Sequence, residues 1–311
     1  MITFDKLKIV ADIGAIEVRD KNQFETILKG DEVTSLQYYQ EHPYLLMIKV
    51  NYVKREVVIE FCGKILGKDY PKLITSKTIL QCFETINALG FVKLDVEAMM
   101  DADVVKCDVT KDVQVSDVPQ FTQYVRNHIS NYQQYLCRKL RNGNLVVEKN
   151  VVSRKTKKRM TIYDKETEMR RAENRSFVEQ NDLDGEFNGL CRFELNLGSK
   201  EQIRNALGID NTKLKTVLSA EANPIADFLG DVILDQTTST VNIPDRKAYV
   251  TKLILKDCDN DLEKVEAKMR EFYRRGTSIS AVMAPFRAML EKMNGNDGAN
   301  LWAKTRSQLL A

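Results

Sequence analysis

The sequence predicts an α+β fold, an antiparallel sheet with flanking helices and a helical C-terminal region, and three observations carry that expectation. Apolar and polar residues alternate in short runs through much of the first 200 residues, the period of a half-buried strand. Runs at helical spacing lie between them. Beyond "STVNIPDR" the chain reads as helix.

Taken in order, "LLMIKVNY" and "REVVIEFCG" form a hairpin near 45–63, with Val57, Ile59 and Phe61 alternating. In "TSKTILQCFETINALGF", Ser76 can cap a helix, Ile79, Phe83, Ile86 and Leu89 share a face, and Gly90 suits a left-handed exit. "VVKCDVTKDV" (104–113) is a strand. "FTQYVRNHISNYQQYLCRKL" reads as an amphipathic helix buried through Phe121, Val125, Ile129, Tyr132 and Leu136. "NLVVEKNVV" and "KRMTIYDK" flank the basic connector "SRKTK" as a hairpin, and 173–188 reads as loop or short irregular helix. "LCRFELNL" is a strand, and Ser199-Lys-Glu-Gln202 is a capping box opening a helix that ends at Gly208. Three helical runs close the chain; in the second, Leu262, Val265, Met269 and Phe272 share a face. The expected units are 1–120 and 121–240, both α+β, and the helical 241–311. The first two run hairpin, long element, strand, which suggests a duplicated unit, although they share no residue-level repeat.

At 311 residues with 43% hydrophobic side chains, the chain can bury a sizeable core. No run approaches the roughly 18 apolar residues that cross a bilayer, so no membrane partner is expected. The N-terminus carries Asp5, Lys6 and Lys8 where a signal peptide is apolar, so a cytoplasmic location is expected. The six cysteines (62, 82, 107, 137, 191, 258) are scattered without a CxxC pair, which suits reduced core thiols. There is no GxGxxG after a strand, no GxxxxGK[ST] and no nucleophile elbow, which argues against dinucleotide, NTPase and serine-hydrolase chemistry. His42 and His128 stand alone.

Charge is unevenly placed. Residues 138–175 hold 13 lysines and arginines against 5 acids, a local +8; the whole chain carries +3, so the remainder carries −5. A basic segment on an acidic body is the footprint of a polyanion-binding surface, and equally of a solvated hairpin. Strand alternation puts Asp108 on the polar face of one strand and Glu194 on that of another; as neighbours in an antiparallel sheet they could share a hard divalent cation, or simply be outward carboxylates beside Lys106 and Arg192. Tyr249 and Lys252 lie three apart on one helix face, where an ammonium can stabilise a phenolate or phosphate, or be a solvated lysine beside a half-buried tyrosine. In "KRMTIYDK", Met160 and Ile162 face the core while Thr161, Tyr163 and Lys165 face the other way.

Together, "KCDVTKDV", "TIYDKETE", "CRFELNLGS" and a later Tyr-x-x-Lys resemble, in order, motifs of rolling-circle replication initiators of the Rep_trans plasmid family and, more loosely, filamentous-phage replication-associated proteins of gene II type. The likeness spans about 45–255. It implies a fold resembling the His-hydrophobic-His nickases, without the histidine pair, and a DNA nicking-joining endonuclease with a tyrosine nucleophile. Carried over, Asp108 and Glu194 bind Mg²⁺ or Mn²⁺, with Asp112 and Glu168 secondary; Tyr249 is the nucleophile, with Lys252 beside it. Arg154, Lys155, Lys157, Lys158, Arg159 and Lys165 would contact origin DNA, double- and single-stranded. A host helicase would be the motor, and a homodimer is one expected state. The alternative is a non-catalytic origin-binding or regulatory protein, or an RNA-binding one.

Overall fold

The computed structural model describes residues 2–127, 134–151, 158–232, 246–258, 261–273, 278–294 and 304–310. In chain order the strands are β1 (Phe4–Asp12), β2 (Ile16–Val18), β3 (Glu25–Lys29), β4 (Glu32–Gln40), β5 (Leu46–Asn51) and β6 (Glu56–Cys62), then β7 (Val92–Leu94), β8 (Asp103–Gln114), β9 (Tyr135–Lys139), β10 (Leu145–Lys149), β11 (Arg159–Asp164) and β12 (Leu190–Leu197). The helices are α1 (Ile79–Ala88), α2 (Val96–Met100), α3 (Val118–Asn127), α4 (Lys165–Met169), α5 (Ala172–Gln180), α6 (Lys200–Leu207), α7 (Leu214–Leu218), α8 (Pro224–Val232), α9 (Arg246–Asp257), α10 (Leu262–Arg270) and α11 (Ser280–Asn294).

Among the described residues ten strands form one antiparallel sheet in the order β3-β4-β5-β6-β1-β8-β12-β11-β10-β9, and β2 pairs with β7. The order has an internal symmetry. Outward from the centre, β1-β6-β5-β4-β3 and β8-β12-β11-β10-β9 each place a first strand beside the last of the set and step back through it. The two five-strand sets share a topology and meet where β1 pairs with β8. The second set starts at Asp103, so the expected boundary at 120/121 falls inside it, between β8 and β9.

Alternation explains the two faces of this sheet. Ile9, Val57, Ile59, Phe61, Cys107, Phe193, Leu195, Met160, Ile162 and Val147 are fully buried on one face, beneath the helices. Phe61 meets Phe83 of α1 at 6.4 Å, and Phe193 meets Phe121 of α3 at 5.9 Å, both edge-on. The other face carries polar and charged residues of β1, β6, β8, β12 and β11. One end of it is roofed by a small aromatic cluster, in which Tyr70 packs against Phe177 of α5 and Phe187, each at 5.7 Å.

Local chemistry sets the element ends. The Ser199 hydroxyl accepts the Gln202 amide N–H at 3.3 Å, while the Gln202 side chain takes the Gly198 N–H at 2.7 Å, a capping box displaced by one residue. Gly208 closes α6 in the left-handed region, φ 64°, where a side chain would be strained.

Three expectations are corrected. Tyr135–Lys139 is a strand rather than the end of the preceding helix: it adds to β10 as the sheet's edge, leaving Leu136 43% exposed; Ile129 and Tyr132 lie outside the described residues. Ala172–Gln180 is a regular helix that takes up the first half of the stretch 173–188 read as loop or short irregular helix, while 181–188 is turn. Phe272 is 73% exposed, because α10 ends at Arg270 before its stripe reaches that residue. Helices α9, α10 and α11 share a core of their own around Leu255, Val265, Met283 and Phe286. Residues 304–310 return to the sheet, where Leu309 is buried and its carbonyl accepts Lys111 Nζ at 2.9 Å. Among the described residues no helix is long and apolar enough to cross a membrane.

Candidate functional site

Strand register determines which polar side chains meet. Across the polar face the rows are Glu60, Lys8, Lys106; then Lys6, Asp108, Asn196, Arg159; then Thr110, Glu194, Thr161; then Asp112, Arg192, Tyr163. The strands bearing Asp108 and Glu194 are therefore antiparallel neighbours. Asp108 faces Asn196 and Glu194 faces Thr110, so the two carboxylates are diagonal neighbours, with Cα atoms about 7–8 Å apart.

Among the described residues each carboxylate accepts a side-chain hydrogen bond. Asp108 accepts a hydrogen bond from the Asn196 amide, and Glu194 accepts one from the Tyr163 hydroxyl at 2.5 Å. Burial, followed by the negative charge of Asp5, pushes the Glu194 carboxyl up to about 7. Burial also raises Asp108, against the pull of Asn196, and Asp5 adds to the rise. Tyr163 is nearly enclosed, and burial together with the Glu194 charge keeps its phenol protonated.

Beside this pair Arg192 is fully buried. Its Nε and Nη2 donate to the two Asp112 oxygens, each at 2.7 Å, and its Nη1 donates to Asp5 at 2.7 Å and to Tyr70 Oη at 2.8 Å. Burial disfavours its charge, but the carboxylates prevail and hold it well above its usual range. Lys165 donates to Tyr70 at 2.7 Å and to Glu168 at 2.6 Å, and Glu168 also accepts Asn174 at 2.9 Å.

Several predicted site residues shift in meaning. Lys165 is 1% exposed, which corrects its expected contact with DNA. The strand stops at Asp164, whose carboxylate caps the Thr167 N–H at 2.9 Å, and the chain turns Lys165 inward as the first residue of α4. Asp112 and Glu168 are engaged with Arg192 and Lys165, so their oxygens serve buried cations. Lys158 and exposed Arg159 lie at the described base of the β10–β11 hairpin; Arg154, Lys155 and Lys157 lie outside the described residues. Tyr249 and Lys252 are on α9, with Tyr249 53% exposed. Partial burial, then the charge of Lys256, holds the Lys252 ammonium below its usual range. Among the described residues no hydrogen bond or ion pair joins Tyr249 or Lys252 to Asp108 or Glu194.

Sequence reasoning missed Asp5, Tyr70 and Asn196. Alternation alone puts Asn196 beside Glu194. Asp5 sits at a register shift in β1, and Tyr70 arrives from a segment over a hundred residues away from Arg192, so no local pattern signals either.

Among the described residues no group of three or more His, Cys, Asp or Glu side chains is placed to hold a metal ion. The pair Asp108 and Glu194 nevertheless fits a hard divalent cation. Its donors are all oxygen, and both carboxyls are raised in part by the same neighbouring negative charge, which a cation would offset. Such ions are commonly held by one or two carboxylates, with water and phosphate oxygens completing the shell. No family model matches the sequence, and no curated protein is significantly similar to it.

Proposed function

We propose that the protein is a replication initiator that binds a plasmid or phage origin and nicks and rejoins one DNA strand through a phosphotyrosine intermediate, starting rolling-circle replication. The observation that supports this reading is the diagonal pair Asp108 and Glu194, on a polar sheet face with lysines on one side and Arg159 on the other. A polyanion can lie across that face with a phosphate above the carboxylates.

A phosphodiester resists attack because it is anionic. A Mg²⁺ or Mn²⁺ ion held by Asp108 and Glu194 would offset that charge when bound. The protein's own groups do the rest. Tyr249 Oη attacks phosphorus in line and gives up its proton; the bond to the 3′ oxygen breaks, and that oxygen leaves protonated as a free 3′-hydroxyl primer. The 5′-phosphate stays on the tyrosine, which conserves the ester for rejoining without ATP. Lys252, one turn along α9, stabilises the phenolate. Tyr163 and Asn196 orient the carboxylates. Lys158 and Arg159, with Arg154, Lys155 and Lys157, supply phosphate contacts whose strength falls with salt. With no phosphate-binding loop in the sequence, unwinding falls to a host helicase, and a homodimer would present two such faces.

A second reading, a non-catalytic origin-binding or regulatory protein, draws on the same surface. What favours it is that Asp108 and Glu194 each have an internal hydrogen-bond partner, as purely structural carboxylates do. The two separate on supercoiled DNA of the replicon that encodes the protein, incubated with Mn²⁺. Nicked circles support the enzyme; intact supercoils with tight binding support the second reading.

A further inference from the structure

The first row of the polar face holds a cluster that the nicking chemistry does not use. Glu60 of β6 lies opposite Lys8 of β1, and Lys8 lies opposite Lys106 of β8. Three ammonium groups converge on this one carboxylate: Lys6 at 2.8 Å, Lys8 at 3.0 Å and Lys106 at 3.9 Å. Asp108, opposite Lys6, also offsets charge on Lys6 and Lys106, so three cations face two carboxylates and one positive charge is left over. Glu60 is the recessed member, its side chain 14% exposed against 24%, 31% and 38% for Lys6, Lys8 and Lys106. The carboxylate thus gathers the lysines from beneath while their outer sides face solvent. Burial disfavours its charge, yet the hydrogen bonds from Lys6 and Lys8 hold Glu60 below the usual carboxylate range, so the lysines stay gathered across the neutral pH range.

A purely structural ion pair needs one lysine for one glutamate. The surplus charge calls for an external anion, and the sheet says which kind. Lys6 lies directly opposite Asp108, and Arg159 lies three strands from Lys6 in the same row, roughly 14 Å away at the usual strand spacing of about 4.8 Å. A chain of regularly spaced anions crossing the strands at right angles would meet cations, then the carboxylate pair, then a cation again.

We propose that Lys6, Lys8 and Lys106, gathered by Glu60, form a phosphate-binding station for the backbone of single-stranded nucleic acid, setting where the strand lies relative to Asp108 and Glu194. The station rests on the reading that this sheet face meets nucleic acid, but not on the nicking step. It holds phosphate without sequence preference, as contacts to the backbone do.

The test is fluorescence anisotropy of the full chain with a labelled single-stranded oligonucleotide in EDTA over a series of salt concentrations, with a duplex of the same sequence as a second arm. Lys8→Gln with Lys106→Gln removes two phosphate partners, so the slope of log affinity against log salt becomes shallower by about 1.4 for a single strand. Affinity near 0.1 M salt falls roughly tenfold or more. Glu60→Gln keeps all three lysines and removes their counter-charge, so it tightens binding. An unchanged slope in the double variant overturns the station, whether or not its thermal stability drops, because a structural role moves stability and leaves the slope alone. A change confined to the duplex arm also overturns it, as does a wild-type chain with no affinity for the single strand. If the slope shifts as stated while wild type fails to nick with Mn²⁺, the station stands and the nicking reading falls.

Discussion

Arg192 and Asp112 face each other on adjacent strands and join through two parallel hydrogen bonds, each 2.7 Å, in the buried end of the sheet's polar face. The guanidinium also reaches Asp5 and Tyr70, so one side chain ties β1, β8, β12 and the segment after β6 together. Removing one member of a buried pair leaves the other charge uncompensated. Arg192→Met should therefore cost about 3–5 kcal/mol in denaturant unfolding. A loss under 1 kcal/mol would show that water reaches the pair.

Glu168 gives stability a pH dependence of known sign. Burial raises its carboxyl, but Lys165, by charge and hydrogen bond, and then Lys64 and Asn174 hold it below its usual 4.5. A carboxyl lowered in the folded state contributes stability above its unfolded value, and that contribution is lost as pH falls from about 4.5 through the folded value. Glu168→Gln should lower the melting temperature at pH 7 and flatten its decline below pH 4.5. A parallel decline in both proteins would assign the acid limb to other groups.

The capping box that opens α6 is testable without any activity. Ser199→Ala should destabilise by about 1 kcal/mol. An equal loss from Ser76→Ala is not expected, because Thr78 flanks α1 on its N-terminal side and no side-chain bond caps it.

Asp108→Asn and Glu194→Gln should abolish Mn²⁺-dependent nicking while DNA affinity in EDTA is kept or tightened, since each removes a negative charge from the face. Their partners act one step removed: Asn196→Ala and Tyr163→Phe should each cost about 10–100-fold in metal affinity or activity. Loss of DNA binding in the carboxylate variants would mark the pair as structural.

Much of this arrangement can be read from the sequence, and the rest cannot for identifiable reasons. Alternation in 104–113 and 190–197 puts Asp108 and Glu194 on one face, and pairing of β8 with β12 brings them together. The β5–β6 and β10–β11 hairpins follow from the same period. Strand β9 is hidden in the sequence because Leu136 continues the helical stripe of Phe121 and Val125, and only an available sheet edge makes the segment extended. Lys165 was misplaced because alternation was carried one residue past the Asp164 cap. The Arg192 network is assembled from residues near 5, 70, 112 and 192, and local pattern carries no information over such separations.

The most direct test of the central claim is the covalent bond itself. Wild-type protein with Mn²⁺ and DNA labelled on the 5′-phosphate at the nick should yield a protein–DNA adduct that peptide mass spectrometry places on Tyr249, and Tyr249→Phe should abolish the adduct while keeping DNA affinity. An adduct that survives Tyr249→Phe and maps to Tyr163 or another tyrosine would contradict the assignment; no adduct under any divalent metal would contradict the enzyme.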